Sequence, residues 1–342
     1  MIMNPSKLLF FFTLILGTLI TVSANSWLGA WIGLEINLLS FIPLMMDTNN
    51  LMSTEASLKY FLTQALASSV LLFSIIIFMA KTNLMNFLSL EFYWVNLIIN
   101  SCLLMKMGAA PFHFWFPTIM EGLSWNTGLM LLTIQKLAPL VLLSYTMEMN
   151  FMFFIIILSV TVGAIGGLNQ TSIRKLIAFS SISHLGWIIA AMIMSENLWL
   201  GYFVIYCLLS FSLIFLFDLY KLFYINQMFG IINKSPIIKF CLFSTLLSLG
   251  GLPPFLGFIP KWLTIQSMAS CGLFFIMVFM IVASLVTLYF YLRLFFTASL
   301  INFNEMSWNF KSYNEKNYFS IMIFNFFSSA GLFLIFFIYF VI

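Results

Sequence analysis

Charge is what this sequence has least of. Of its 342 residues only 7% are Asp, Glu, Lys or Arg, against 63% hydrophobic, and the mean hydropathy is +1.09. Soluble domains carry roughly 25% charged residues, so a water-facing globular surface is excluded. The 14 Lys and Arg stand singly, with no polybasic cluster able to follow phosphates, which argues against nucleic acid as a partner. Histidine is scarcer still. His113 and His184 are too few to supply the axial ligands of a two-haem membrane cytochrome. The cysteines Cys102, Cys207, Cys241 and Cys271 lie far apart in or beside apolar runs, without the CxxC spacing of zinc, iron–sulfur or haem sites. They read as small core residues, and no redox centre is expected in this chain. The apolar runs do not alternate with polar residues, so a membrane β-barrel is excluded as well.

What is present are apolar stretches of about 20 residues along the whole length, the signature of spanning helices whose backbone groups bond internally. The expected fold is all-α, a polytopic membrane protein of about eleven transmembrane helices. They fall near 8–24, 27–46, 57–80, 88–121, 123–146, 151–168, 174–194, 198–223, 238–269, 272–300 and 318–341. The first resembles a signal peptide but is read as a retained helix, being no different in character from the rest. With an odd count the termini lie on opposite faces. Lys7, Lys59, Arg174, Lys175, Lys221, Lys234, Lys239, Lys311 and Lys316 then share the N-terminal side, while Lys81, Glu148 and Glu196 occupy the other. By the positive-inside tendency the N-terminus is inside and the C-terminus outside.

Two spans, 88–121 and 238–269, are too long for one crossing, and each is interrupted, by "GAAPF" at 108–112 and by "GGLPPF" at 250–255. Proline removes a backbone donor and clashes with the preceding turn, so each span is expected to be two half-helices. Paired interrupted helices in corresponding positions of two halves point to inverted repeats around a polar path. Two ordinary proline kinks would leave the same trace.

Depth decides which charges need explaining. Lys59, Lys81, Lys221, Lys239 and Arg293 lie near helix ends, where a long stem lets the head reach water, and Asp218 with Lys221 forms a local i,i+3 pair. Glu35, Lys106, Lys136, His184 and Lys261 have no such outlet. Each charge at the bilayer centre costs about 2.5–3.5 kcal/mol on insertion scales. One glutamate and one lysine could form a buried pair that only fixes register. One glutamate cannot neutralise three central lysines. The functional reading is a proton path: burial disfavours the ammonium form of lysine, a nearby carboxylate favours it, and moving the carboxylate makes the lysine a proton donor. Lys, Glu and His each take up and release a proton, with serines 180, 181 and 183 and trapped water between them.

The segments "KMGAAPFHFWFPTIMEG", "TIQKLAP", "RKLIAFSSISHLGW" and "LSLGGLPPFLGFIPKW" resemble, over nearly the whole chain, the antiporter-like subunits of respiratory complex I and their relatives in multisubunit cation/proton antiporters. "FHFW", "LLTIQKLAP" and the short segment before Glu35 are similar to the animal mitochondrial members, which lack three leading helices. Residue usage rich in Phe, Ile, Met and Asn suits an organelle genome, of an invertebrate and specifically an insect. The resemblance implies one antiporter-like domain over 1–342. It implies that Glu35 modulates Lys106, the input carrier, that Lys136 and His184 relay, and that Lys261 exchanges with the outer face. His113 would support the first break. It also implies a subunit of proton-pumping NADH:ubiquinone oxidoreductase in the mitochondrial inner membrane, N-terminus in the matrix and C-terminus in the intermembrane space. NADH, FMN, iron–sulfur clusters and ubiquinone would reside in partner subunits. The partners would be antiporter-like, small core and supernumerary membrane-arm subunits, with phospholipid around them. A cation/proton antiporter subunit without electron transfer, and a scaffold that conducts nothing, are the alternatives.

Overall fold

A computed structural model describes residues 5–47, 50–83, 89–232 and 236–300, together with Phe326 and Ser329. All regular elements among these residues are helical. The chain divides into two compact units, Met1–Ser159 and Val160–Ile342. The first contains α1 (Pro5–Ser23), α2 (Trp27–Met45), α3 (Leu51–Asn83), α4 (Ser89–Met107), α5 (Trp115–Gly122), α6 (Trp125–Leu132) and α7 (Ile134–Tyr145). After α8 (Met149–Gly167), the second contains α9 (Ile173–Met194), α10 (Glu196–Tyr220), α11 (Ile225–Ile232), α12 (Pro236–Gly250), α13 (Phe258–Ser270) and α14 (Phe274–Leu300). Ten of the eleven expected spans correspond to these helices or broken pairs of them. The eleventh, 318–341, lies outside the described residues but for Phe326 and Ser329, and so do Lys234, Lys311 and Lys316.

Each unit is built as a bilayer solvent requires, apolar on both the inside and the outside. On α1 the large exposed residues are Leu9, Phe12, Leu16 and Leu19, and on α3 they are Leu58, Leu62, Leu66 and Phe73. Helix association in such a medium rests on close packing of small residues rather than on apolar transfer. Accordingly, α1 and α2 meet where Gly17 lies against Asn37 and Gly33 against Thr21. In the second unit α9 is the enclosed helix. Of its apolar window 89% is buried, against 22% for α1, so α9 is central and α1 faces lipid.

Both expected breaks are present, with the same stop signal. α4 ends in Gly108 at φ +75°, and α12 ends before Gly251 at φ +83°. The Gly108 N–H donates to Leu104 and Met105, and the Ala109 N–H to Leu104; the Gly251 N–H donates to Leu247 and Ser248, and the Leu252 N–H to Leu247. This is one Schellman-type cap used once in each unit, and the left-handed backbone it needs is open to glycine without steric penalty.

Three features differ from the sequence reading. The span expected at 123–146 is not continuous: Thr133, at φ −115° and ψ −76°, separates α6 from α7. Pro139 cannot donate to the Gln135 carbonyl, the Thr133 hydroxyl donates to Leu129 at 2.8 Å, and the Lys136 N–H bonds Thr133, only three residues back, at 3.2 Å. A short helix, α11, occupies what reads as a loop. It is held by a two-residue antiparallel bridge, in which Ile173 N–H donates to Phe223 and Ile225 N–H to Thr171, at 3.0 and 3.2 Å. Arg293 is half-buried and donates to the Leu168 carbonyl at 2.6 Å, closing the C-terminal end of α8 rather than serving only as an anchor in water. The Asp218–Lys221 pair forms as expected, at 3.0 Å.

A Cβ at Gly257 would fall on the Ser248 carbonyl oxygen, where α13 crosses the last turn of α12, whereas one at Gly201 meets nothing within 4 Å. Gly257→Ala is therefore expected to destabilise the chain by about 1–3 kcal/mol, the usual cost of overpacking. Gly201→Ala should be neutral or slightly stabilising. The thermal stability of the two variants in detergent measures the difference, and equal melting temperatures would refute the close approach.

Candidate proton path

Lys106 is in the last turn of α4, and only 7% of it is exposed. A helix that stops inside an apolar medium leaves carbonyls without partners and a partial negative charge at that end. Two side chains complete the cap: Trp115 Nε1–H donates to Met105 at 3.0 Å, and Gln64 Nε2–H reaches from α3 to the Lys106 carbonyl at 3.3 Å. Lys106 thus belongs to the last turn of a half-helix whose Leu104, Met105 and Lys106 carbonyls are already engaged. Glu35, half-buried on α2, is the acidic group that acts on it electrostatically. No direct ion pair joins the two among the described residues. His113, buried beside the break, has its Nδ1 3.3 Å from the Pro111 carbonyl, a placement that fits support of the loop.

Lys136 is more enclosed, at 1% exposure, in the first turn of α7 just beyond the Thr133 interruption. Its Nζ stands 5.0 Å from the centroid of the Phe116 ring, close enough for a cation–π contact. Phe116 also backs the first break, since its Cβ is 3.1 Å from where a Cβ of Gly108 would lie. Phe116 therefore lies against both the first break and Lys136, and Glu35, Lys106 and Lys136 all belong to the first unit.

In the second unit Lys261 is carried by α13, beyond the break, and its ammonium reaches back to donate to the Gly250 carbonyl at 2.9 Å. The cation itself caps α12. Its Nζ is also 5.9 Å from the ring centroid of Trp187, one turn along α9 from His184. His184 is buried, its Nδ1 2.9 Å from the Tyr202 hydroxyl and its ring 5.3 Å from that of Tyr206. His184 and Lys261 are thus brought to one neighbourhood. The serines near it are committed along their own helix, Ser180, Ser181 and Ser183 donating to Ile177, Ala178 and Ser180 at 2.6–2.8 Å, which leaves their oxygens as acceptors.

The sequence reading missed the polar and aromatic partners Gln64, Trp115, Tyr202 and Tyr206. Gln64 has a recognisable signal as a lone amide in an apolar helix. Tyr202 and Tyr206 are spaced i,i+4, which puts them on one helix face, but nothing in the sequence says that this face meets His184. Lys7 pairs with Asp47 at 2.9 Å and Lys59 with Glu55 at 2.6 Å, both at exposed positions. No group of three or more His, Cys, Asp or Glu placed to hold a metal occurs among the described residues.

A family model described as the NADH:quinone oxidoreductase/Mrp antiporter transmembrane region matches residues 24–287. NADH-ubiquinone oxidoreductase chain 2 of Anopheles gambiae is 56% identical over 336 residues, covering 98% of each chain. The protein of that name from Locusta migratoria is 46% identical over 89% of each. Among solved structures, a chain of respiratory complex I from Thermus thermophilus with bound aureothin superimposes with a TM-score of 0.85 at 25% identity, over 96% of this chain and 78% of that one. A chain of the Mrp complex from Dietzia shares the fold at 18% identity, with a TM-score of 0.72 over 84% of this chain and 59% of that one. A polytopic helical chain with two glycine-capped breaks, buried lysines beside both and this degree of likeness belongs to the NADH:quinone oxidoreductase/Mrp antiporter transmembrane family.

Proposed function

We propose that this chain is the antiporter-like membrane subunit of a mitochondrial proton-pumping NADH:ubiquinone oxidoreductase, acting as one domain over its whole length. Identity of 56% over 98% of an insect relative carries the assignment and favours it over a stand-alone cation/proton antiporter subunit. NADH, FMN, the iron–sulfur clusters and ubiquinone are bound by partner subunits, which carry the electron transfer. This chain sits in the inner membrane among the other membrane-arm subunits, with phospholipid against its exposed Leu and Phe side chains.

Protons move along Glu35, Lys106, Lys136, His184 and Lys261. Glu35 favours the protonated form of Lys106 when close and releases it when displaced, because its influence acts through space and no fixed ion pair has to be broken. Lys136 and His184 relay, and Lys261 exchanges with the outer face. The breaks contribute oriented helix ends and room for water.

Native electrophoresis of solubilised mitochondrial membranes should place peptides of this chain in a band with NADH dehydrogenase activity, beside flavin and iron–sulfur subunits. Recovery only from a band without that activity would move the antiporter to first place. Lys136→Met should leave assembly intact and abolish proton pumping; wild-type pumping would count against the path.

The N-terminus lies in the matrix and the C-terminus in the intermembrane space. Cys271, exposed between α13 and α14, then faces the intermembrane space. A membrane-impermeant maleimide should modify it in mitoplasts, and modification only in inverted submitochondrial particles would reverse the orientation.

A further inference from the structure

The second unit holds a hydroxyl group that the path above does not use. Tyr291, on α14, is 1% exposed, and its hydroxyl faces Ser180 without completing a hydrogen bond of standard geometry. A buried hydroxyl left bare costs about 1–3 kcal/mol, so such groups as a rule hold a partner, and in a polar cleft that partner is water. Its surroundings are polar. Tyr206 lies within electrostatic range and faces Ser181, and both serine hydroxyls donate along their own helix, leaving their oxygens to accept.

The two ends of this cluster meet two buried ionisable groups of the unit, His184 and Lys261. The Tyr206 ring is tilted against the His184 ring with centroids 5.3 Å apart; Nδ1 of His184 meets the Tyr202 hydroxyl, and Nε2 is the second proton site of the imidazole. At the other end the Tyr291 ring lies 3.5 Å from where a Cβ of Gly250 would stand, and the Gly250 carbonyl accepts from Lys261. Tyr206 on α10, beside the imidazole of α9, and Tyr291 on α14, beside Gly250, thus lie on the two flanks of this cluster.

We infer that Tyr206 and Tyr291, with a bound water beside Ser180 and Ser181, form a hydroxyl bridge that passes protons between His184 and Lys261. The inference rests on the proton-path reading above. In each hop a hydroxyl oxygen accepts one proton and gives up the one it carried, so the tyrosine stays neutral and nothing is oxidised. The bridge carries protons without placing a further charge in the membrane, which a chain of lysines could not do.

Tyr291→Phe removes the hydroxyl and keeps the ring. In the assembled complex it should lower the protons moved per NADH oxidised at least twofold, and raise the solvent deuterium isotope effect on coupled turnover, with the amount of complex unchanged. Phe290→Leu, on the same helix as Tyr291, loosens packing against Gly167 of α8 and should reduce the amount of complex while leaving both ratios at the wild-type values. Wild-type proton yield and isotope effect in both Tyr206→Phe and Tyr291→Phe, with yield lost in Lys261→Met, would overturn the bridge and leave the path standing. Wild-type yield in Lys261→Met would overturn the path, and the bridge with it.

Discussion

A carbonyl oxygen that ends a helix inside a bilayer must find a donor within the protein, and much of the architecture around the two breaks answers that demand. Hydrocarbon offers no hydrogen bond, so each bare group costs several kcal/mol. α4 and α12 both stop at a glycine with positive φ, and the same backbone cap absorbs part of the deficit in each. The remaining donors differ. At α4 they are neutral, the Trp115 indole and the Gln64 amide, which leaves the Lys106 ammonium free to respond to Glu35. At α12 the donor is the Lys261 ammonium itself. Lys106 has a carboxylate within electrostatic range and Lys261 is bonded to a helix end, although both breaks obey one backbone rule.

Much of this was legible in the sequence because the informative residues are rare in oil. Pro111, Pro253 and Pro254 with their glycines announce the breaks, and Lys106, Lys136, His184 and Lys261 are conspicuous where each charge is costly. The interruption at Thr133 was not legible. Threonine and a proline six residues on are both tolerated in membrane helices, and only the local hydrogen bonds of Thr133 and Lys136 reveal the turn. Tyr202, Tyr206 and Tyr291 were illegible for a different reason. In a chain with 12 Tyr and 42 Phe, an aromatic residue carries little information until packing shows which hydroxyl meets which partner. Arg293 near the end of α14 looked like an interfacial anchor, yet its partner is a carbonyl 125 residues away in sequence.

The aromatic rings beside the lysines bear on how such a path works. A buried ion pair would hold each ammonium firmly, and losing one partner costs about 3–5 kcal/mol, which would lock the charge in place. Phe116 faces Lys136 and Trp187 faces Lys261 at cation–π distances, contacts worth about 0.5–2 kcal/mol. Such a contact eases the cost of the charged state and leaves the neutral state within reach, since an uncharged amine against an aromatic face leaves no ion behind. A group that must gain and lose a proton in each cycle needs stabilisation of this modest size. Under the proposed path Glu35 acts on Lys106 without a direct ion pair among the described residues, so a displacement of Glu35 would change the charge balance without first tearing apart a desolvated pair.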